Sequence, residues 1–302
     1  MKPLFIDFET YSSEDIKSGG AYRYTQSPDF EILLIGYAIE DGDVTIIDMT
    51  QPGAIIKFAT FVRLISLPQY TIVAHNAQFE RLCLKAYKVD IPADRFMCTA
   101  TMALYAGFPE SLGNLSKALD LKEGKKGTGL ALIKFFCQPQ KPTKANPEEY
   151  RNYSKDFPDK WEEFMDYLRY DVLSEREALG RLDYCDFPQS EIELYKLDQD
   201  INDNGIHIDM ELAERAEALN DEYCEGLKKD IKTKYGISSL KSTIQLKDFV
   251  LIQTGKNFDS FRKEDIDTII AECDNERVDE VLNARKIINK TSNAKYTAMR
   301  NC

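Results

Sequence analysis

Two acids one residue apart carry the first chemical signal in this chain. Leu4-Phe5-Ile6-Asp7-Phe8-Glu9-Thr10 is an apolar run interrupted only by Asp7 and Glu9. A strand sends alternate side chains to opposite faces, so Asp7 and Glu9 project from one face, side by side. Unpaired like charges are costly in a buried strand. A divalent cation is the natural compensation, and hard oxygen ligands select Mg2+ or Mn2+ over softer metals. The pattern also fits a strand that frays into solvent after Ile6, so the pair alone does not decide.

Two further places add to it. Ala74-His75-Asn76-Ala77-Gln78-Phe79-Glu80 puts Asn76 and Glu80 where a strand hands over to a helix. In the amphipathic stretch 158–182, Tyr167 and Asp171 are four residues apart and share one helix face. Asp171 lies beside Tyr170, Val172 and Leu173 in a packed helix, so its carboxylate should face a site or a partner rather than the core. Hydrolysis of a phosphodiester needs a water made nucleophilic at neutral pH and stabilisation of charge on the attacking and leaving oxygens. Two divalent ions about 4 Å apart supply both, and three or four carboxylates can hold them. His75, at a strand end, reads as a structural hydrogen-bonding residue that this chemistry does not need. Phe79 fits a core anchor as well as a base-stacking platform, and Trp161 reads as packing.

The elements that must position these residues are legible in outline. Strands are expected at 3–9, 31–40, 44–49, 70–75 and 96–97, with the second and third joined by Asp41-Gly42-Asp43 as an antiparallel hairpin. Helices are expected at 54–66, 79–87, from 99, at 111–119, at 128–137 and at 158–182. Three early strands followed by strand–helix alternation imply an α/β fold, a mixed sheet with helices packed on it. After Tyr184-Cys185-Asp186-Phe187-Pro188 strand signals vanish. Helices then run from 190 to 204, from beyond Asp209 to Gly236 and from the N-cap Ser242 to Gly255, and two more follow. A domain boundary is expected near residue 188, dividing 1–187 from an all-helical 188–302.

Composition bounds the rest. The 302 residues suffice for two domains, and no apolar run approaches the roughly 20 residues of a membrane span. Met1-Lys2-Pro3 leads directly into the first strand, without room for a secretory signal. Seven scattered cysteines, at 83, 98, 137, 185, 224, 273 and 302, form no C-x-x-C pair and fit reduced thiols in a cytosolic protein. His75 and His207 are the only histidines, so a metal must be held largely by carboxylates. The net charge of −12 argues against a nucleic-acid partner only as a surface average. Locally, Lys122, Lys125, Lys126, Lys134, Lys141 and Lys144 stand against the single acid Glu123. This segment fits a phosphate backbone and a solvated loop equally well.

Asp7-Phe8-Glu9-Thr10, Asn76-Ala77-Gln78-Phe79-Glu80 and Tyr167-x-x-x-Asp171 resemble the three motifs of the DEDD-superfamily exonucleases, tyrosine subclass. The resemblance covers about residues 1–186 and implies a ribonuclease H-like, mixed five-stranded sheet and a proofreading 3′→5′ exonuclease using two ions, Mg2+ or Mn2+. Carried over by position, Asp7, Glu9 and Asp171 would bind the tighter metal and Asp7 would bridge to the second. Tyr167 and Glu9 would orient the water, and Thr10, Asn76 and Phe79 would contact the terminal nucleotide. One departure stands out: the second motif normally ends in Asp, and this chain has Glu80, which keeps the charge but lengthens the arm by a methylene.

The helical half carries its own resemblance. Leu194-Tyr195-x-x-Asp198-x-x-Ile201-x-x-x-Gly205-Ile206-x-Ile208-Asp209 is similar to the segment joining proofreading and polymerase domains in phage-type family A DNA polymerases. Ser242-x-x-Gln245-Leu246 and Arg285, Lys290 and Tyr296 resemble the thumb that follows. The palm and finger motifs are missing, so no DNA synthesis is expected from these residues. The expectation is a 3′→5′ exonuclease acting on single-stranded or frayed DNA 3′ ends in the cytoplasm of a bacterial or phage-infected cell, working with a polymerase domain or subunit and with no membrane. The alternatives are a catalytically impaired DNA-binding or scaffold module of a split polymerase, and an RNA 3′→5′ exonuclease, since such a site does not itself declare the sugar.

Overall fold

The computed structural model describes all residues except 123–128, 145–146, 149, 183–184 and 301–302. Two compact units form, Met1–Gly205 and Ile206–Cys302. The first is built on a five-stranded mixed sheet of order β3-β2-β1-β4-β5, as expected of an α/β fold. Its strands are β1 (Lys2–Tyr11), β2 (Glu31–Ile39), β3 (Thr45–Asp48), β4 (Tyr70–Ala74) and β5 (Phe96–Cys98). β1 runs antiparallel to β2 and parallel to β4, and β5 continues the parallel side.

Alternation along β1 sets what each face does. Leu4, Ile6 and Phe8 enter one core with Phe58, Phe61 and Ile65 of helix α2 (Ala54–Ile65) and Cys83 and Leu84 of helix α3 (Gln78–Ala86). On the other face, Phe5 packs with Val172, and Tyr11 with Phe164, Tyr167 and Leu168, all on one long helix. Asp7 and Glu9 belong to that second set by parity.

The long helix spans Pro158–Leu182, the range read from the sequence. Three smaller helices precede it, α4 (Thr99–Tyr105), α5 (Leu112–Ala118) and α6 (Gly129–Phe136), which makes the long one α7. α7 is pinned along the β2–β3 hairpin. Trp161 Nε1 donates to Asp48 Oδ2 at 2.9 Å, Arg169 to the Val44 carbonyl at 2.8 Å and Arg176 to the Gly42 carbonyl at 2.8 Å. Trp161 is therefore both packing and anchor.

β1 outruns its parallel neighbour. Pairing with β4 ends at Phe5, while pairing with β2 continues to Tyr11. The stretch holding Asp7 and Glu9 thus lies beyond the last residues paired with β4, where that strand turns into α3. A register shift between Glu9 and Thr10 leaves Leu33 of β2 as the extra residue. Such bulges bend and twist a strand and recur beside functional sites.

The segment between β1 and β2 forms a helix, α1 (Ile16–Gln26), which its polar composition and Gly19-Gly20 hid in the sequence. Gly20 sits at φ 74° and kinks it. Helix α8 (Gln189–Asn204) follows α7 and packs within the first unit, stopped by Gly205 at φ 64°.

The second unit is helical: α9 (Met210–Tyr235), α10 (Thr243–Thr254), α11 (Lys263–Cys273), α12 (Glu276–Ile288) and the short α13 (Ala294–Arg300), one helix more than expected after Gly255. Asp209 caps α9 by accepting from Leu212 N, and Ser242 caps α10 by accepting from Gln245 N. Leu246, Phe249, Ile266, Val278, Val281 and Leu282 fill its core. Arg285 ties two loops together by donating to the Phe261 and Leu240 carbonyls. The six described cysteines are free thiols. Among the described residues, no helix is long and apolar enough to cross a membrane.

Gly36 of β2 pairs directly with Asp7, and a Cβ there would meet Val172 Cγ2 at 2.9 Å and Leu168 Cγ at 3.0 Å. Gly36→Ala is therefore expected to lift α7 off the sheet and destabilise the fold by about 1–3 kcal/mol. Denaturant unfolding of the variant measures this.

Candidate active site

The site grows from three elements meeting at the carboxyl end of β1. β1 supplies Asp7, which is half-buried, and Glu9, which is buried. The first turn of α3 supplies Glu80, only 2% exposed. α7 supplies Tyr167 and Asp171, both buried and one helical turn apart. Asp7 and Glu9 act on Glu80, and Asp171, Glu9 and Asp7 act on Tyr167.

Burial, then the charge of Asp171 and of Glu9, pushes the Tyr167 phenol well above its ordinary value, and a hydrogen bond to Asp171 adds to this. Its hydroxyl therefore keeps its proton throughout the physiological range. The ring is fixed by stacking on Phe164, with centroids 6.2 Å apart and planes within 10°. Gly129, at the start of α6, lies against the same ring: a Cβ there would lie 1.9 Å from Tyr167 Cε2. Glu9 Oε2 accepts a weak hydrogen bond from Cys137 Sγ at 3.8 Å. Burial first, and Glu9 next, pushes that thiol up.

A fifth carboxylate, unanticipated in the sequence reading, joins the group. Glu175 is one turn beyond Asp171 on α7 and 1% exposed. Desolvation, then the charge of Asp7 and of Glu80, raises its carboxyl well above the usual value of 4.5. Glu80 is raised in the same way, by burial and then by Asp7. The four-residue spacing Tyr167, Asp171, Glu175 was the available signal.

Among the described residues, no group of three or more His, Cys, Asp or Glu side chains is placed, as it stands, to hold a metal ion. The donor chemistry nevertheless fits a hard cation. Glu80 Oε2 and both Glu175 carboxylate oxygens are buried without a hydrogen-bond partner, and the groups around them are mostly carboxylates.

The residues expected to contact a nucleotide sit nearby with distinct roles. Thr10 is 4% exposed, its hydroxyl 2.9 Å from the Tyr24 hydroxyl. Asn76 is exposed at φ 68°, and its carbonyl accepts from Phe79 N. Phe79 is half-buried, its ring 5.9 Å from that of Tyr24. His75 bridges Thr99 Oγ1 at 2.9 Å and the Glu110 carbonyl at 2.7 Å, a structural role as read. Of the basic run, Lys125 and Lys126 lie outside the described residues, while Lys122, Lys134, Lys141 and Lys144 are exposed.

A basic and aromatic flank next to the site was not read from the sequence. The Arg151 guanidinium lies 3.8 Å above the Tyr11 ring, two residues along β1 from Glu9, and 5.2 Å from the Tyr153 ring. Exposed Tyr153 and Lys155 extend it along a groove of about 610 Å³.

No family model matches the chain. It is 40% identical over 300 residues to a protein named DNA polymerase from Bacillus phage SP02, with 99% of this chain and 46% of the relative aligned. The chain is similar to a phage DNA polymerase. It spans about half the length of that curated relative. In fold it resembles the POL domain of Pol1 from M. smegmatis, solved in complex with DNA primer-template and dNTP, at a TM-score of 0.53 and 12% identity. That likeness covers 98% of this chain and 45% of the other.

Two expectations follow from the packing and the charges. Gly129→Ala should destabilise by about 1–3 kcal/mol through the Tyr167 ring. Gly180→Ala, on exposed α7 surface with nothing within 4 Å of its Cβ, should stabilise by about 0.5–1 kcal/mol. Paired denaturant melts read the opposite signs. Metal-free, the folded Glu80 and Glu175 carboxyls hold their protons more tightly than the unfolded chain does. Their contribution is therefore whole below about pH 4.5 and is lost as pH rises toward the folded values. Glu175→Gln should thus gain stability over the parent chain as pH rises from about 5 to 8 in the presence of a chelator, read from thermal midpoints.

Proposed function

We propose that residues 1–205 form a metal-dependent 3′→5′ exonuclease that removes nucleoside 5′-monophosphates from single-stranded or frayed DNA 3′ ends, as the proofreading part of a DNA polymerase. The observation that carries this reading is the laying of Tyr167 and Asp171 on α7 across Asp7 and Glu9 on β1, with Glu80 entering from α3. Similarity to a phage DNA polymerase, and fold likeness to a polymerase domain solved with primer-template, support DNA as the partner. Residues 206–302 are assigned, on the same grounds, to the beginning of the polymerase part.

Asp7, Glu9 and Asp171 would hold one Mg2+ or Mn2+, with Asp7 shared toward a second ion near Glu80. When bound, two such ions lower the pKa of the attacking water and stabilise charge on the leaving oxygen. The chain's own groups do the rest. Tyr167 remains protonated, so its hydroxyl positions the attacking water by hydrogen bonding and does not act as a base. Glu9, whose charge acts on Tyr167, would share in orienting that water. The burial of Glu9, Glu80 and Asp171 keeps bulk water away, which strengthens every charge interaction there. Asn76 and Phe79, on the turn from β4 into α3, border the opening and suit the sugar and base of the terminal nucleotide. Arg151, Tyr153 and Lys155 combine positive charge with aromatic faces, the pairing that single strands use without sequence preference.

The test is release of label from a 3′-labelled single-stranded DNA with Mg2+ or Mn2+. Asp7→Ala should lower the rate by roughly a thousandfold, equivalent to several kcal/mol of transition-state stabilisation. Tyr167→Phe should lose roughly tenfold to a hundredfold. Metal-independent release, or release unchanged in Asp7→Ala, would overturn the reading. Strand binding without hydrolysis at any metal concentration would point to a scaffold, and faster release from RNA to an RNA exonuclease.

A further inference from the structure

Glu175 is an ionisable residue at a fully buried position of α7. It is 1% exposed on the α7 face that also buries Val172 and Ala178, yet neither of its oxygens accepts a hydrogen bond. Glu80, 2% exposed, leaves Oε2 without a partner in the same way. The two carboxyls lie close enough to repel each other, and Asp7 repels both. No basic side chain forms an ion pair with either among the described residues. Arg81, adjacent to Glu80, is committed to Asp203, and Arg176, adjacent to Glu175, donates to the Glu40 and Gly42 carbonyls.

Two buried carboxyls with three unsatisfied oxygens between them are an expensive arrangement. Well-packed apolar side chains of similar volume often stabilise such positions instead. The expense makes sense when something charged arrives from outside the chain. Carboxyl oxygens are hard donors, these two groups feel the charge of Asp7, and a divalent magnesium-like cation can displace their protons and take them as ligands.

We propose that Glu175 and Glu80 together form the seat of the second divalent cation, with Asp7 shared between that ion and the one held by Glu9 and Asp171. The proposal rests on the exonuclease reading and adds to it a fifth carboxylate that the three sequence motifs do not contain. It also gives the long arm of Glu80 a purpose. The ion is drawn toward α7, where Glu175 meets it, so one carboxylate need not hold it alone.

The experiment is a Mn2+ titration of the full chain without DNA, with free Mn2+ followed by electron paramagnetic resonance. The parent chain should bind two ions. Glu175→Gln should keep the tighter one and lose the second, its Kd rising by about tenfold or more. A raised metal-free thermal midpoint in that variant shows that it is folded. Glu177→Gln, half-buried two residues away and paired with Arg181, should keep both ions. Should Glu175→Gln fail to fold, Glu80→Gln carries the test, because the same ion must be lost. Two ions bound by Glu175→Gln with parental affinities would overturn the seat and leave the exonuclease reading standing. A parent chain that binds a single ion would overturn it too. A parent chain that binds no Mn2+ and releases no nucleotide would sink both, and nucleotide release is the arm that separates the two failures.

Discussion

Repulsion among buried carboxylates is the constraint on which the first unit depends. Asp7, Glu9, Glu80, Asp171 and Glu175 are brought toward one region where β1, α3 and α7 meet, and four of the five are buried. Nothing in their mutual electrostatics favours this in the absence of a cation. What imposes it is apolar packing elsewhere on the same helix. Trp161, Phe164, Leu168, Val172 and Leu182 of α7 are all buried. Each large apolar side chain so buried contributes roughly 1.5–3 kcal/mol. Several together outweigh the penalty of a few desolvated acids, some of which hold protons when metal is absent. The centre is thus held by its surroundings rather than by itself, the condition under which a bound ion can strengthen it.

Closeness is achieved by subtraction. Gly36 lets Val172 and Leu168 reach the backbone of β2 directly opposite Asp7, and Gly129 lets α6 lie on the Tyr167 ring. A methyl at either place would move the helix or the ring by a few tenths of an ångström or more. Because β4 stops pairing at Phe5, the β1 residues beyond it are open on that side, and α3 begins there with Glu80 in its first turn. In open α/β sheets, ligands favour the carboxyl ends of strands, and this gap is where the present sheet provides one.

Much of this was legible because the signals were periodic. The alternation in 4–10 and the helical period of 158–182 located β1 and α7, and a spacing of four joined Tyr167 to Asp171. Glu175 had only its spacing of four from Asp171 to mark it. Ser174-Glu175-Arg176-Glu177 is polar throughout, and it is the seating of α7 against Gly36 that accompanies a buried Glu175 while Arg176 reaches the Gly42 carbonyl. α1 was hidden by two glycines, one of which bends it. The bulge at Leu33 leaves no trace in a run of Ile-Leu-Leu-Ile, where every register looks equally apolar. The Arg151 flank depends on a ring stacked from β1, over a hundred positions away in the chain.

The turn of α3 beyond Glu80 links the site to the rest of the chain. Glu80 faces the acids, and the next residue, Arg81, faces α8. Its guanidinium forks onto Asp203, at 2.7 and 2.8 Å, and reaches Gln199 Oε1 at 3.0 Å. Tyr22 of α1 donates to the same Asp203 at 2.6 Å, and Lys85 lies 3.3 Å from it. Arg81, first, holds the Asp203 carboxyl well below its ordinary range. Arg81 is buried whereas Asp203 is exposed, so removing Asp203 would leave a buried guanidinium without its carboxylate. The composition changes after Pro188 while the packing changes only after Gly205: α8 reads as part of a helical region but is held within the sheet unit by Arg81, Tyr22 and Lys85 on Asp203 and by Tyr195 against the core. The same arginine ties the first turns of α3 to α8. A carboxylate whose neighbours repel it is thereby carried on a helical turn that α8 holds in place.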